Sequence, residues 1–253
     1  MNEITLFGFN HLTKSLSFSL YKLHYIGQQT DQYKHYIKSH YNADKLNSLL
    51  TDICHIIGGN VLNIAKQDYQ PQGASVTLMI SEELATQALS SQVITNLVAH
   101  LDKSHLCIHT YPDEAPQQGI AIFRADIELS TCGVISPLKV LNQVINAFDA
   151  DVIDIDYRIR GMTRDKQGKK LFNIDKLTNI SDFLSNEVTQ NYHVQQSNFS
   201  QQNLFHAKLG RKSVMLKDFI LQDNIENLGD EEHNKIINNL TEEIQQLFCN
   251  INQ

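Results

Sequence analysis

Apolar and polar positions alternate near the start of the chain, where Ile4, Leu6 and Phe7, then Leu16, Phe18 and Leu20, recur among polar neighbours. A period of two predicts an early strand in residues 3–26, with room for a second. The spacing then turns helical. Tyr36, Ile37, Tyr41, Leu46, Leu49, Leu50, Ile53, Ile56 and Ile57 predict a helix within 29–57, stopped by Gly58-Gly59. Val61–Ala65 and Val76–Ile80 read as strands on either side of a turn at Pro71 and Gly73. Residues 81–102 are ambiguous, although Ser81 followed by Glu82 and Glu83 has the look of a helix N-terminus.

Leu106–Thr110 and Ile120–Leu129 alternate as strands, with Pro112, Pro116 and Gly119 supplying the turn between them. Ser136-Pro137 predicts a helix start, with the helix running to about Phe148. Ile153, Ile155, Tyr157 and Ile159 alternate with Asp154, Asp156, Arg158 and Arg160, which predicts a strand with one wet face. Beyond residue 178 the chain is rich in Asn and Gln and reads as helical in pieces, closing with an amphipathic helix over Glu231–Phe248. The sum is an α+β fold, a largely antiparallel sheet with helices layered on one face, in a single domain over residues 1–253.

Composition narrows the classes. The 253 residues are 42% hydrophobic and 19% charged, enough for a buried core. The net charge of −7 argues against nucleic acid as a partner. Four cysteines, at 54, 107, 132 and 249, form no C-x-x-C pair and no zinc spacing, so a reduced, cytoplasmic protein is the expectation. The first residues lack the pattern of a signal peptide, and no apolar run is long enough to cross a bilayer, so no membrane partner is expected. Gly161–Lys170 superficially resembles a phosphate loop. Its glycine spacing is wrong and no Ser or Thr follows the lysine, so a basic surface turn is the better reading. Asp151, Asp154 and Asp156 could be imagined as metal ligands. Arg158 and Arg160 share a strand face with Asp154 and Asp156, which favours a solvated charge ladder.

The chemistry concentrates in residues 103–133. Ser104 stands between Lys103 and His105, His109 follows five residues after the serine, and Cys132 precedes Gly133. On composition alone Ser104 is a turn serine, His109 a structural strand histidine and Cys132 a small buried hydrophobe. A hydrolase triad lacking its acid is a second way to read them. A third is self-cleavage. A serine hydroxyl can attack the carbonyl of the residue before it and exchange the amide for an ester, given a strained site and a nearby base. Elimination of that ester frees Lys103 as a new C-terminus and leaves dehydroalanine, which hydrolyses to a pyruvoyl group. Such a carbonyl takes up an amine substrate as a Schiff base and accepts the electrons released as carbon dioxide leaves.

The residues KSHLCIHTYP and FRADIELSTCGVISPLK, with GASVTLMISEE (73–83), IDYRIRGMTRD (155–165) and NLFHAKLGRKSVMLKDF (203–219), resemble the bacterial pyruvoyl-dependent S-adenosylmethionine decarboxylases, long-chain enterobacterial type. The resemblance covers most of the chain. It implies cleavage at Lys103-Ser104 into a β chain (1–103) and an α chain (104–253), with Ser104 as the pyruvoyl source. His109 would be the proton acceptor for processing, Cys132 the proton donor in catalysis and Ser75 an aid to processing. Tyr69 would stack on the adenine. The family's ribose-binding glutamate falls at Asp113, with Glu114 beside it, so either carboxylate can take the role. The resemblance also implies two protomers packed sheet to sheet as an αββα sandwich, further assembly of αβ units into a homo-oligomer, and magnesium as an activator. The product, decarboxylated S-adenosylmethionine, is the aminopropyl donor for spermidine. Two alternatives stand beside this reading: a pyruvoyl-dependent decarboxylase of arginine or ornithine, and a non-catalytic paralogue that activates a partner.

Overall fold

The alternation that begins the chain becomes one long strand, β1 (Thr13–Tyr25), whose even-numbered residues from Lys14 to His24 are buried. The computed structural model describes residues 12–82, 104–113, 115–132, 135–165, 167–173, 177–221 and 229–250. The expected strand at residues 3–11 and the stretch 83–103 lie outside them.

β1 runs down the middle of an eight-stranded sheet with the order β2-β3-β4-β5-β1-β6-β10-β9. The strands are β2 (Gly59–Asp68), β3 (Ala74–Glu82), β4 (Ser104–Pro112), β5 (Ile120–Cys132), β6 (Val152–Arg160), β9 (Tyr192–Phe199) and β10 (Leu204–Arg211). Every ladder is antiparallel. The basic turn at Gly161–Lys170 forms a separate two-stranded ribbon, β7 (Thr163–Arg164) with β8 (Lys170–Leu171).

Three helices cover one face: α1 (Thr30–His40), α2 (Ala43–Ile57) and α3 (Leu141–Phe148). Where the apolar spacing predicts a single helix, Asn42 divides it in two. Its side chain accepts from the Lys45 amide at 2.9 Å, so it caps the start of α2. Gly58 ends α2 at φ 83°, a left-handed conformation that a Cβ disfavours. The leucines, isoleucines and valines at even positions of β1, β3 and β4 meet the apolar stripes of α1 and α2 in one continuous core.

Two expectations fail. Ser81 belongs to the end of β3 rather than to a helix. The Asn/Gln-rich stretch is not helical in pieces: after the six-residue α4 (Asn186–Asn191) it folds as the β9–β10 hairpin. In β10, Phe205, Ala207 and Leu209 alternate inward, while β9, at the sheet edge, buries little besides Tyr192. Beyond Tyr192 both faces of β9 are largely exposed, so its sequence carries little apolar period.

The C-terminal helix α5 (Asp230–Cys249) lies on the opposite face from the other helices. Its Ile236, Leu240 and Ile244 pack with Leu23, Ile120 and Val152, which are on the odd side of the sheet. A Cβ on Gly210 would come within 2.8 Å of the Phe248 ring, so the helix rests directly on the β10 backbone. Lys208 bridges Asp154 at 3.3 Å and donates to Asn250 Oδ1 at 3.0 Å, tying the helix end to the sheet. Among the described residues, the apolar stripe of α5 does not reach β3 or β4, whose side of this face it leaves bare.

The solvated charge face of β6 is present, with Asp156, Arg158 and Arg160 exposed, and Asp151 lies apart from it. Asp156 pairs with His206 at 2.9 Å, and Asp151 is fully buried, bonded to Arg211 Nε at 2.7 Å and to the Leu23 amide at 2.7 Å. Burial raises the Asp151 carboxyl above its ordinary range, opposed by Lys22 and Arg211.

His24 has a pH signature. It sits beneath α1, 3% exposed, with its ring 5.0 Å from Tyr36 and 5.8 Å from Tyr33, and its Nε2 has no hydrogen bond. Burial, helped by Lys22 and His40, lowers its pKa to about 3. The unfolded chain therefore takes up this proton near pH 6.5 and the folded chain does not, so stability is lost as pH falls from about 6 toward 3. The slope reaches about 1.4 kcal/mol per pH unit. His24→Phe is expected to flatten this slope in urea titrations between pH 6 and 4.

Candidate active site

β4 carries the expected chemistry along its length, and its two ends do different things. At its start Ser104 is 2% exposed, the Cys132 amide donates to its Oγ at 3.1 Å, and Ile80 stands opposite it on β3. The donated bond fixes the oxygen and leaves the hydroxyl proton free to be removed. Cys132 is the last residue of β5, partly exposed, with its Sγ 3.9 Å from Thr13 Oγ1. Ser104 and Cys132, 28 residues apart in sequence, are thus brought together by the β4–β5 ladder. Lys103 and Glu114 lie outside the described residues.

The other end of β4 gathers the remaining candidates. His109 pairs with Ser75 on β3 and with Asp126 on β5, all three on the bare face. Asp126 is held by Arg124 through bonds of 2.9 and 2.6 Å, and the guanidinium lies over the rings of Tyr111 and Tyr21 at 5.4 and 5.8 Å. The carboxylate across from His109 is therefore committed to an arginine, which weakens the hydrolase-triad reading.

Just past His109, Gly73 approaches Tyr69 and Pro112, such that a Cβ there would lie 3.6 and 3.3 Å from them. Gln72 donates to the Asp113 carbonyl at 3.2 Å, and Asp113 Oδ1 accepts from the Ala115 amide at 2.9 Å. Tyr69, Ser75, His109 and Asp113 thus form one group at this end.

The two groups do not meet within one chain. Ser104 and His109 are five residues apart on one strand, roughly 17 Å. Their side chains also leave opposite faces, since Ser104, Leu106, Ile108 and Thr110 are buried while His105, Cys107 and His109 are half-exposed. Proximity in sequence, which makes the histidine look like the base for its own serine, is misleading for an odd spacing on a strand.

Sequence reasoning overlooked two neighbours of the Ser104 end. Thr13 is the residue beside the Cys132 thiol. Lys14 is fully buried and donates to the Ile135 carbonyl at 3.1 Å, just beyond Cys132. Its signal was available, because Lys14 occupies the even, apolar register of β1 that continues through Leu16, Phe18 and Leu20.

A buried serine bonded to the Cys132 amide, far along the strand from a histidine whose facing carboxylate is held by Arg124, does not assemble a hydrolase triad. The chain belongs to the S-adenosylmethionine decarboxylase family, whose sequence model matches residues 30–161. It is 45% identical to the S-adenosylmethionine decarboxylase proenzyme of Yersinia enterocolitica, over 98% of this chain and 97% of that one. It is 46% identical to the proenzyme of Stenotrophomonas maltophilia, over 97% and 95% of the two chains. Among solved structures, adenosylmethionine decarboxylase from Aquifex aeolicus aligns with a TM-score of 0.37 and 16% identity, covering 59% of this chain and 91% of that one. The Trypanosoma brucei enzyme monomer aligns with a TM-score of 0.38 and 12% identity, covering 79% and 66%. The family assignment rests on the sequence matches.

Proposed function

We propose that the chain cleaves itself at Lys103-Ser104, that Ser104 becomes a pyruvoyl group, and that the mature αβ unit decarboxylates S-adenosylmethionine. The observation that carries this is the bond from the Cys132 amide to Ser104 Oγ. It ties the serine that would be consumed to the backbone of the residue whose thiol would supply a proton. The buried head of β4 also suits the group, since a carbonyl made from Ser104 there is shielded from water. The pyruvoyl carbonyl supplies the electron sink for loss of carbon dioxide. Cys132 delivers the proton that replaces the carboxylate on the substrate α-carbon. Tyr69 stacks on the adenine. Asp113, with one oxygen held by the Ala115 amide, offers the other to the ribose hydroxyls. Arginine and ornithine carry no nucleoside and would leave that end without a ligand.

A second copy completes the site. Midway between Ser104 and His109 lie Leu106 and Cys107, and Cys107 faces the bare side of the sheet. Two sheets packed face to face about a two-fold axis near Cys107 bring the partner's His109, with Ser75, Tyr69 and Asp113 alongside it, over the head of β4 on the face that carries the Cys132 side chain. On this face α5 packs over Leu23, Ile120 and Val152, toward β1 and β6, and its apolar stripe does not extend to β3 or β4. The unit is then an αββα sandwich, with further assembly of αβ units following from the family resemblance.

Magnesium is the proposed activator. The described residues hold no group of three ligand side chains for it, so no step passes through the ion. No helix among the described residues is long and apolar enough to cross a membrane. The unpaired thiols of Cys54, Cys107, Cys132 and Cys249 support a reducing, cytoplasmic setting.

Cys132→Ala separates the two roles of this site. It is expected to be cleaved as the parent is and to lose about 10²- to 10⁴-fold in kcat, the usual worth of a positioned proton donor. Full activity in a cleaved Cys132→Ala enzyme would remove Cys132 from the mechanism.

A further inference from the structure

A proton donor has to be aimed as well as supplied, and one side chain is placed to aim the Cys132 thiol. Cys132 and Thr13 are cross-strand partners at the end of the β1–β5 ladder. Their side chains leave the same face of the sheet. Thr13 leads the odd series Ser15, Ser17 and Ser19 of β1, and Cys132 ends the even series Asp126, Glu128 and Ser130 of β5. Thr13 Oγ1 lies 3.9 Å from Cys132 Sγ, and no other group among the described residues bonds that sulfur. The surroundings leave the threonine hydroxyl to this contact. Arg160 stands across from Thr13 on β6, but its guanidinium donates to Ser15 Oγ at 3.3 Å. The branched Cβ of threonine restricts χ1, so the hydroxyl stays where the ladder puts it.

We propose that Thr13 is a positioning residue for turnover. Its hydroxyl donates to Cys132 Sγ, which leaves the thiol proton free for the substrate α-carbon. This deepens the proposed function and rests on the reading of Cys132 as the proton donor. In the step concerned, the bond from the α-carbon to the carboxylate breaks and carbon dioxide leaves. The electron pair left behind takes the Cys132 proton to form a carbon–hydrogen bond. The sulfur keeps the pair of its own bond and becomes a thiolate. Thr13 keeps its proton and shares it with that thiolate, in a charge-assisted bond stronger than the one to the thiol. The thiolate regains a proton from water as the product leaves. The contact therefore strengthens as the proton moves, and an interaction of that kind raises kcat rather than substrate affinity.

Thr13 faces away from the side that holds the Ser104 hydroxyl, so cleavage should not depend on it.

The test compares mature enzyme carrying Thr13→Val or Thr13→Ser with the parent and with Cys132→Ala, with rates taken per cleaved chain. Valine keeps the shape of threonine and removes the hydroxyl. Thr13→Val is expected to be cleaved as the parent is, to keep its KM, and to lose about 10- to 10²-fold in kcat, the usual effect of one hydrogen bond to a charged acceptor. Thr13→Ser, which keeps the hydroxyl, is expected to restore most of the rate. In deuterium oxide the parent should place deuterium at the product α-carbon in a single configuration, and Thr13→Val should give a mixture. A packing role would not move that readout. Parental kcat in Thr13→Val overturns the inference. So do a single configuration in Thr13→Val, an equal loss of kcat in both Thr13 variants, or a Thr13→Val chain that is not cleaved. Full kcat in Cys132→Ala would instead overturn the reading of Cys132 on which the inference rests.

Discussion

Ser104→Ala is expected to remain one uncut 253-residue chain and to release no carbon dioxide from S-adenosylmethionine. The hydroxyl is consumed in making the catalytic carbonyl, so nothing else in the chain can replace it. The loss should be at least about 10⁶-fold, the low end of what enzymes contribute over the uncatalysed reaction. Folding should survive. Ser104 is buried, but its Oγ accepts a single bond, from the amide of Cys132 at a strand end, and alanine fits the same place. Loss of that acceptor costs about 1 kcal/mol. A Ser104→Ala chain with normal melting and no activity separates chemistry from stability. Cleavage of that chain on time courses followed by gel or mass would show that another residue makes the cut.

The second large effect concerns the partner copy. His109→Ala alone should stay uncut, because both copies then lack the imidazole, and within one chain that residue is roughly 17 Å from Ser104 in any case. Mixed with Ser104→Ala, it should regain cleavage. Each variant brings what the other lacks: Ser104→Ala retains His109 and Ser75, and His109→Ala retains the serine. Only the His109→Ala chain can be cut. In an equimolar mixture formed by co-expression, roughly half of it should be cut, the share that random pairing puts into mixed dimers. No cleavage in the mixture, with mixed dimers shown to form, would place the base within one chain and contradict the face-to-face arrangement.

The central sheet was largely legible because its strands alternate. Leu16, Phe18 and Leu20 in β1 and Ile153, Ile155 and Tyr157 in β6 face a helical layer, and burial of one side writes a period of two into the sequence. The β9–β10 hairpin was missed where that writing fades. β9 is an edge strand of polar residues, held by the ladder to β10 rather than by its own burial. The break between α1 and α2 was hidden because the apolar spacing runs through Tyr41 into Leu46, and only the Asn42 cap marks it. The position of α5 on the far face could not be read, since an amphipathic stripe says that a helix is covered and not by what.

At the site, residue identities came from motifs and the distances did not. Ser104 does meet the backbone amide of Cys132. Ser104 and His109 do not, although they are only five residues apart, because strand geometry sends them to opposite faces. Asp126 stands opposite His109 on β5, and its bonds to Arg124 keep it from supplying the acid that a triad lacks.

Intact mass spectrometry of the purified 28.8 kDa chain tests the central claim most directly. The account predicts two components, residues 1–103 ending in an unmodified Lys103 carboxylate and residues 104–253 beginning with a pyruvoyl group in place of Ser104. Treatment with borohydride should shift only the second component, by reduction of its carbonyl. A single full-length mass, unchanged by borohydride, would contradict it.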